Sequence, residues 1–312
     1  MLKYVLKRLG YILVTLWVIV TCTFFMMKNL PGTPFDAERF SIMTPQQQER
    51  VLEMYGLNDS LPMQYVKYIK NMLKGDLGTS FTYVNQDVSK VITGRLGPSA
   101  LIGIQAVLIG LAIGLILGIL AAWKHNSGID YFTMILAVLG VSVPNFVAAA
   151  LLQYYIGLKW GALPVGFWTG WNCSVLPSIA LSFSATAMVA RFMRTEMLDV
   201  LDQDYIVTAR AKGLSQMKVL MRHAVRNSIL PVVTILGPIV VNLMTGSLAV
   251  ENIFSIPGIG SLFVDCIKAN DYPVIMGITI FYAAFYMPIV LLVDLAYSLI
   301  DPRIRLAKGK ES

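Results

Sequence analysis

Ser99–Trp123 reads SALIGIQAVLIGLAIGLILGILAAW, a run without a single charged residue. At 1.5 Å per helical residue it is long enough to cross the roughly 30 Å hydrocarbon core of a bilayer. Five more predominantly apolar runs lie at about Leu9–Leu30, Tyr131–Ile156, Val175–Met193, Ile229–Val250 and Val274–Leu299. Backbone in hydrocarbon must satisfy its own hydrogen bonds, so each run is expected to be a helix. The 312 residues are 56% hydrophobic and 14% charged, with mean hydropathy +0.66. Such a composition excludes an ordinary soluble domain and predicts an all-α polytopic membrane protein with six transmembrane helices. No small-residue cleavage site stands out after the first run, which is therefore expected to remain as a span.

In the quoted run Gly110, Gly114, Gly118 and Ala122 recur every four residues. They fall on one helix face and let another helix approach closely, in this chain or in another subunit. Pro144, Pro238 and Pro288 lie inside runs and predict kinks.

Orientation follows from Lys and Arg in the short loops. With the amino terminus inside, the inner segments hold fifteen: Lys3, Lys7, Arg8, Lys124, Arg191, Arg194, Arg210, Lys212, Lys218, Arg222, Arg226, Arg303, Arg305, Lys308 and Lys310. The two short outer loops hold Lys159 and Lys268. Both termini are thus expected in the cytoplasm. The net charge of +7 is the inner-leaflet bias and calls for no nucleic-acid partner. Of the three cysteines, Cys173 and Cys266 fall outside and Cys22 in the first run; free thiols are expected, with a bond between the outer pair as the alternative.

Residues 31–97 read as an outer cap of short helices. Thr44-Pro45-Gln46-Gln47 has the form of a capping box, and Gly56 should end that helix. Pro62–Lys74 is a second helix stopped by Gly75, GDLGTS (Gly75–Ser80) a turn, and Asp87–Leu96 a third amphipathic stretch.

The hydrocarbon-depth portions carry no Asp, Glu, Lys, Arg or His; Lys28, Arg191 and Asp294 lie toward helix ends. Ion-coupled carriers and pumps need such a group at depth. The two histidines, His125 and His223, give a metal site or a Ser–His pair almost no material, and no phosphate-binding loop occurs. An autonomous channel or secondary carrier and a membrane-embedded enzyme are both disfavoured, and no catalytic residue, metal or bound cofactor is expected. Uncharged polar residues do occur at depth. Asn145, Gln153, Ser182, Asn242 and Thr245 are candidates for lining a path, and cross-linking of helices is the competing reading.

The inner stretch Asp204–Pro231, DYIVTARAKGLSQMKVLMRHAVRNSILP, is basic. Asp204 can cap a helix over Tyr205–Lys212 that Gly213 ends. Tyr205, Ala209 and Lys212 share a side, and the small Ala209 and Ala211 would admit another surface. A second helix after Ser215 places Met217, Leu220, Met221, Ala224 and Val225 on an apolar stripe opposite Lys218, Arg222 and Arg226. That helix is expected at the membrane interface. A plain basic loop obeying topology is the alternative.

This stretch resembles the EAA loop of ABC-transporter membrane subunits. End to end, the chain is similar to the permease subunits of oligopeptide and dipeptide importers. The resemblance rests on MLKYVLKRL at the start, FFMMKNLPGTPF (Phe24–Phe35), GDLGTS, GVSVPNF (Gly140–Phe146), YIVTARAKGL (Tyr205–Leu214), TGSLAVENIFSIPGIG (Thr245–Gly260) and DPRIRL (Asp301–Leu306). Val207-Thr208-Ala209 stand where the general pattern has Glu-Ala-Ala, and the Gly213-to-Pro231 separation is longer. Ala209, Gly213, Leu230 and Pro231 therefore carry over directly. Asn270 stands where relatives often have arginine.

The resemblance implies a type I ABC importer (MetI-like) permease fold. It would comprise an N-terminal span (1–30), an extracytoplasmic helical insertion (31–97), a permease domain (98–300, coupling loop 194–228) and a cytoplasmic tail (301–312). It implies two cytosolic ATPases that bind ATP and magnesium, a second homologous permease and an extracytoplasmic peptide-binding protein. Tyr205, Ala209, Ala211, Lys212, Gly213, Leu214, Leu230 and Pro231 would then serve ATPase coupling. Glu251, Phe254, Pro257, Gly258, Gly260 and Asp271 would lie near the binding protein, with a tight turn at Ile256-Pro257-Gly258. The implied cargo is oligopeptides, with dipeptides, glutathione or nickel as alternatives.

Overall fold

The computed structural model describes residues 2–29, 40, 42–54, 56–83, 85–244 and 247–300; side chains at 2–5, 54, 230 and 292–300 lie outside that description. Thr245 and the tail from Asp301 therefore lie outside the described residues. Among the described residues, five helices are long and apolar enough to cross a membrane, or six when one bent pair is counted as a span. Two compact units divide the chain: Met1–Gly97 with Ile259–Phe285, and Pro98–Gly258 with Tyr286–Ser312.

In the first unit, α1 (Leu2–Lys28) is followed by the cap helices α2 (Pro45–Met54) and α3 (Leu61–Leu73). The capping box forms: the Thr44 N–H donates to Gln47 Oε1 at 2.9 Å, and the Gln47 N–H to Thr44 Oγ1 at 3.4 Å. Gly75 ends α3 with φ +82°, its N–H donating to Met72 O. Val20, Phe24 and Met276 form a small core with Tyr65, Tyr68 and Met72, so the first span packs against the cap. A second core joins Val88, Val91 and Ile92 to α12 (Ile259–Lys268) and to Val274, Ile275 and Ile278. The latter three lie on α13 (Tyr272–Ile300).

The amphipathic stretch over Asp87–Leu96 leads into the second span without a break. Val88–Trp123 is one helix, α4, of 36 residues, with Pro98 in its interior.

The second unit holds α5 (Gly128–Ser142), α6 (Asn145–Leu152), α7 (Val175–Leu201), α8 (Asp204–Ala211), α9 (Gln216–Val219), α10 (Arg226–Met244) and α11 (Leu248–Ile253). The expected continuous span over Tyr131–Ile156 is two pieces, Gly128–Ser142 and Asn145–Lys159, bent by 101°. The cause is local. A proline disfavours helical geometry in the residue before it, and Val143, before Pro144, is extended at φ −80°, ψ 119°. A π-helical turn, Gln153–Lys159, completes the second piece.

The glycine stripe finds its partner within the chain. A Cβ on Gly110 would lie 2.7 Å from Ala185 Cβ, on Gly114 2.8 Å from Thr186 O, and on Gly118 2.6 Å from Ala190 O. Without side chains there, α4 seats directly on the backbone of α7, around a core that includes Ile102, Ala106, Leu181, Val189 and Met193.

Candidate functional site

The basic loop between α7 and α10 has its own small core. Ile206 (0% exposed) and Ala209 (6%) face inward onto Val219, with Val200, Leu201 and Leu214 around them. Ala209, expected on an outward side with Tyr205 and Lys212, is thus the small residue that lets α8 lie on α9. The outward face of α8 is Val207, Thr208, Ala211 and Lys212, all exposed. Tyr205 is exposed too, and its OH accepts a 3.0 Å hydrogen bond from Asn227 Nδ2, tying α8 to the root of α10.

Gly213 ends α8. Its N–H donates to Arg210 O at 2.9 Å and its φ is +76°, left-handed geometry in which L side chains are strained. An added Cβ would meet nothing within 4 Å. Glycine is therefore set by backbone conformation, not by crowding from this chain.

After α9 the chain forms a π-helical turn over Leu220–Val225 before α10. The wider turn shifts the register. The expected apolar stripe is split: Val219, Leu220 and Ala224 are buried, whereas Met217 and Met221 are about half exposed beside Lys218, Arg222 and Arg226. Pro231 lies inside α10.

A buried ion pair braces the helix that leads into this loop. Arg194 Nε and Nη2 donate to the two oxygens of Asp130 at 2.6 and 2.8 Å. Asp130 also accepts from the Asn126 N–H at 3.0 Å, with His125 Nδ1 at 3.1 Å, and its side chain is 2% exposed. Sequence gave Arg194 a topological role alone; the lone acid in the first turn of α5 was the available signal for its partner.

This loop sits in a chain with close kin. Residues 114–306 match the family described as "Binding-protein-dependent transport system inner membrane component", and residues 1–96 match its N-terminal companion family. The chain belongs to this family of ABC-importer permeases. The dipeptide transport system permease DppB of Lactococcus lactis subsp. cremoris is 46% identical over 306 residues, 98% of this chain and all of that one. DppB of Bacillus subtilis is 43% identical, covering 99% of each chain. The oligopeptide transport system permease OppB of Salmonella typhimurium is 39% identical over 98% of this chain and all of that one. Among solved structures, an amino acid ABC transporter aligns with TM-score 0.51 and 19% identity over 69% of this chain and 94% of that chain. The MetNI methionine ABC transporter aligns with TM-score 0.51 and 14% identity over 66% and 96%. Those two likenesses establish the fold.

The permease's other candidate residues lie in the segment after α10 and along the spans. Glu251, Phe254, Gly258, Gly260 and Asp271 are buried within the chain, and only Pro257 of that set is partly exposed. Their side chains and backbone are packed into the segment between Leu248 and Tyr272. Glu251 Oε1 accepts from Ser99 Oγ at 2.8 Å, and a Cβ on Gly258 would collide with the Glu251 carboxylate. Ile256-Pro257-Gly258 forms the expected tight turn, closed by Gly258 N–H to Ile256 O at 2.8 Å. Asp271, 0% exposed, accepts from Ser80 Oγ at 2.5 Å and from the Phe81 and Thr82 N–H groups at 3.2 and 3.0 Å, pinning the GDLGTS loop to the start of α13.

Of the path candidates, Gln153 Nε2 donates to Val165 O and Ile253 O at 2.6 and 2.7 Å, a cross-link between segments. Ser182 is buried and bonds Ile179 O at 2.8 Å. Asn145 is partly exposed at the start of α6 and Asn242 is exposed on α10. A concavity of about 1000 Å³ bounded by α4, α5, α6 with the π-helical turn after it, and α7 is walled mostly by Leu, Ile, Val and Ala, which does not suit a peptide backbone. The three cysteines are free thiols.

Proposed function

We infer that this chain is the permease subunit of an ATP-driven importer of peptides, working with a second homologous permease, two cytosolic ATPases and an extracytoplasmic binding protein. Both termini lie in the cytoplasm, so the basic loop faces the ATPases. Closure of the ATPases around ATP pushes α8, and the braced α7 and α10 carry that movement into the membrane.

The observation that carries this reading is the outward face of α8. An extramembrane helix with its own packed underside presents Tyr205, Val207, Ala211 and Lys212 to the outside, with exposed Met217 and Met221 alongside. Small and apolar groups on such a solvent-side surface suit a protein groove. The peptide cargo is supported by relatives named for dipeptide and oligopeptide transport. Motif resemblance over Thr245–Asp271 leans to oligopeptides, whole-chain identity to dipeptides. Competition of labelled uptake by dialanine and by a pentapeptide decides between them, and uptake of nickel or glutathione in place of peptides would overturn the cargo.

Coupling is tested at Gly213. In the free subunit an Asn there costs little, because Asn tolerates left-handed geometry and the space is open. Gly213→Asn and Gly213→Leu should both insert normally yet lose ATP-driven uptake, because an added side chain meets the ATPase. Normal uptake by Gly213→Leu, or uptake by the isolated chain without ATPases, refutes the assignment.

A further inference from the structure

In the first unit a cavity of about 370 Å³ opens where α1 ends. Among the described residues, two of its wall groups, Lys28 and Tyr68, have no charge-matched or hydrogen-bonding partner. Lys28 Nζ lies 5.8 Å from the ring centroids of both Phe24 and Tyr272, and it makes no ion pair among the described residues. The Tyr68 hydroxyl is buried with no hydrogen-bond partner among the described residues. A buried hydroxyl left unsatisfied is costly, and an ammonium between two aromatic faces still lacks a counter-charge. An anionic group bound in the cavity that both residues line would supply what each lacks. By contrast Lys67, on the same wall, already pairs with Asp59 at 2.6 Å.

Depth identifies the source of that group. Leu13, Val14, Trp17, Val18 and Phe25 are exposed along α1, and this apolar surface stops at Lys28. The cavity therefore lies at the boundary where hydrocarbon gives way to headgroups. Glu53 and Asp76 also line it, favouring a headgroup that carries an ammonium as well as a phosphate.

We propose that Lys28 and Tyr68 hold the phosphodiester of a zwitterionic phospholipid, of the phosphatidylethanolamine type, in this cavity. Burial pushes the Tyr68 phenol up, so it stays a proton donor at physiological pH. The lipid would fasten the first span to the cap, filling the cavity beside the core of Phe24, Tyr65 and Met276.

The test uses the full chain purified in detergent, titrated with dihexanoyl phosphatidylethanolamine and read by native mass spectrometry. Parallel titrations use dihexanoyl phosphatidylglycerol, inorganic phosphate and dialanine. Wild type should form a one-to-one phosphatidylethanolamine adduct. Lys28→Gln should weaken it about tenfold or more, Tyr68→Phe measurably, and Lys67→Gln should not change it. Tyr68→Phe removes one oxygen and keeps the ring, so it reads the contact even if Lys28→Gln folds poorly. Absence of an adduct, equal binding by Tyr68→Phe, equal loss in Lys67→Gln, or tighter binding of phosphate or dialanine would each overturn the proposal.

Discussion

Substituting alanine for Gly118 asks whether α4 truly rests on the backbone of α7. The new Cβ would lie 2.6 Å from Ala190 O and 2.8 Å from Met193 Cβ, against an ordinary contact of 3.4 Å or more. One of those neighbours is backbone and cannot rotate away, so the helices must separate by several tenths of an ångström. Overpacking of this kind costs about 1–3 kcal/mol. Alanine also gains about 1 kcal/mol of helix propensity over glycine. The net expectation is a loss of up to about 2 kcal/mol. Gly94 lies on the same helix, and a Cβ there meets nothing within 4 Å. Gly94→Ala should keep the propensity gain alone and stabilise by about 1 kcal/mol. The two variants, purified in one detergent and melted by tryptophan fluorescence, should shift Tm in opposite directions. Equal shifts, or stabilisation by Gly118→Ala, would refute close packing of the stripe within this chain.

Asp130→Asn leaves the Arg194 charge with half its partner gone, and breaking a buried pair typically costs about 3–5 kcal/mol. Asp130→Leu with Arg194→Met should recover much of that loss; a double variant less stable than Asp130→Asn contradicts the role of the pair. Cys266 is 1% exposed, and burial first, then Asp271 and Asp265, push its thiol from 9.0 up to about 12. At pH 8 only about one part in ten thousand is thiolate, so maleimide should label it in unfolded but not in folded protein. The protonated thiol is favoured by folding, so its contribution is complete below pH 9 and is lost as pH rises from 9 toward 12. Rapid labelling of Cys266 at pH 8 in folded protein would contradict its burial.

The number and placement of apolar helices were readable from the chain because lipid imposes length and composition on each run separately. Stops at Gly75 and Gly213 were equally local: a left-handed residue and a helix end are properties of a few neighbouring residues. So was the break before Pro144, although its size, 101°, was not. The basic segment between α7 and α10 stood out by its motif and charge, but its facing did not. Met217 and Met221 face outward on either side of the start of the π-helical turn, and Ala209 turns in.

Pairings between distant residues needed the assembled fold. Ser80 meets Asp271 across 191 positions, Ser99 meets Glu251 across 152, and Arg194 meets Asp130 across 64. Composition and periodicity fix what a helix can bury, whereas which helix supplies the buried surface depends on how the faces meet in space. For that reason the glycines of α4 announced a close contact from sequence, and only the tertiary structure decided that α7 fills it.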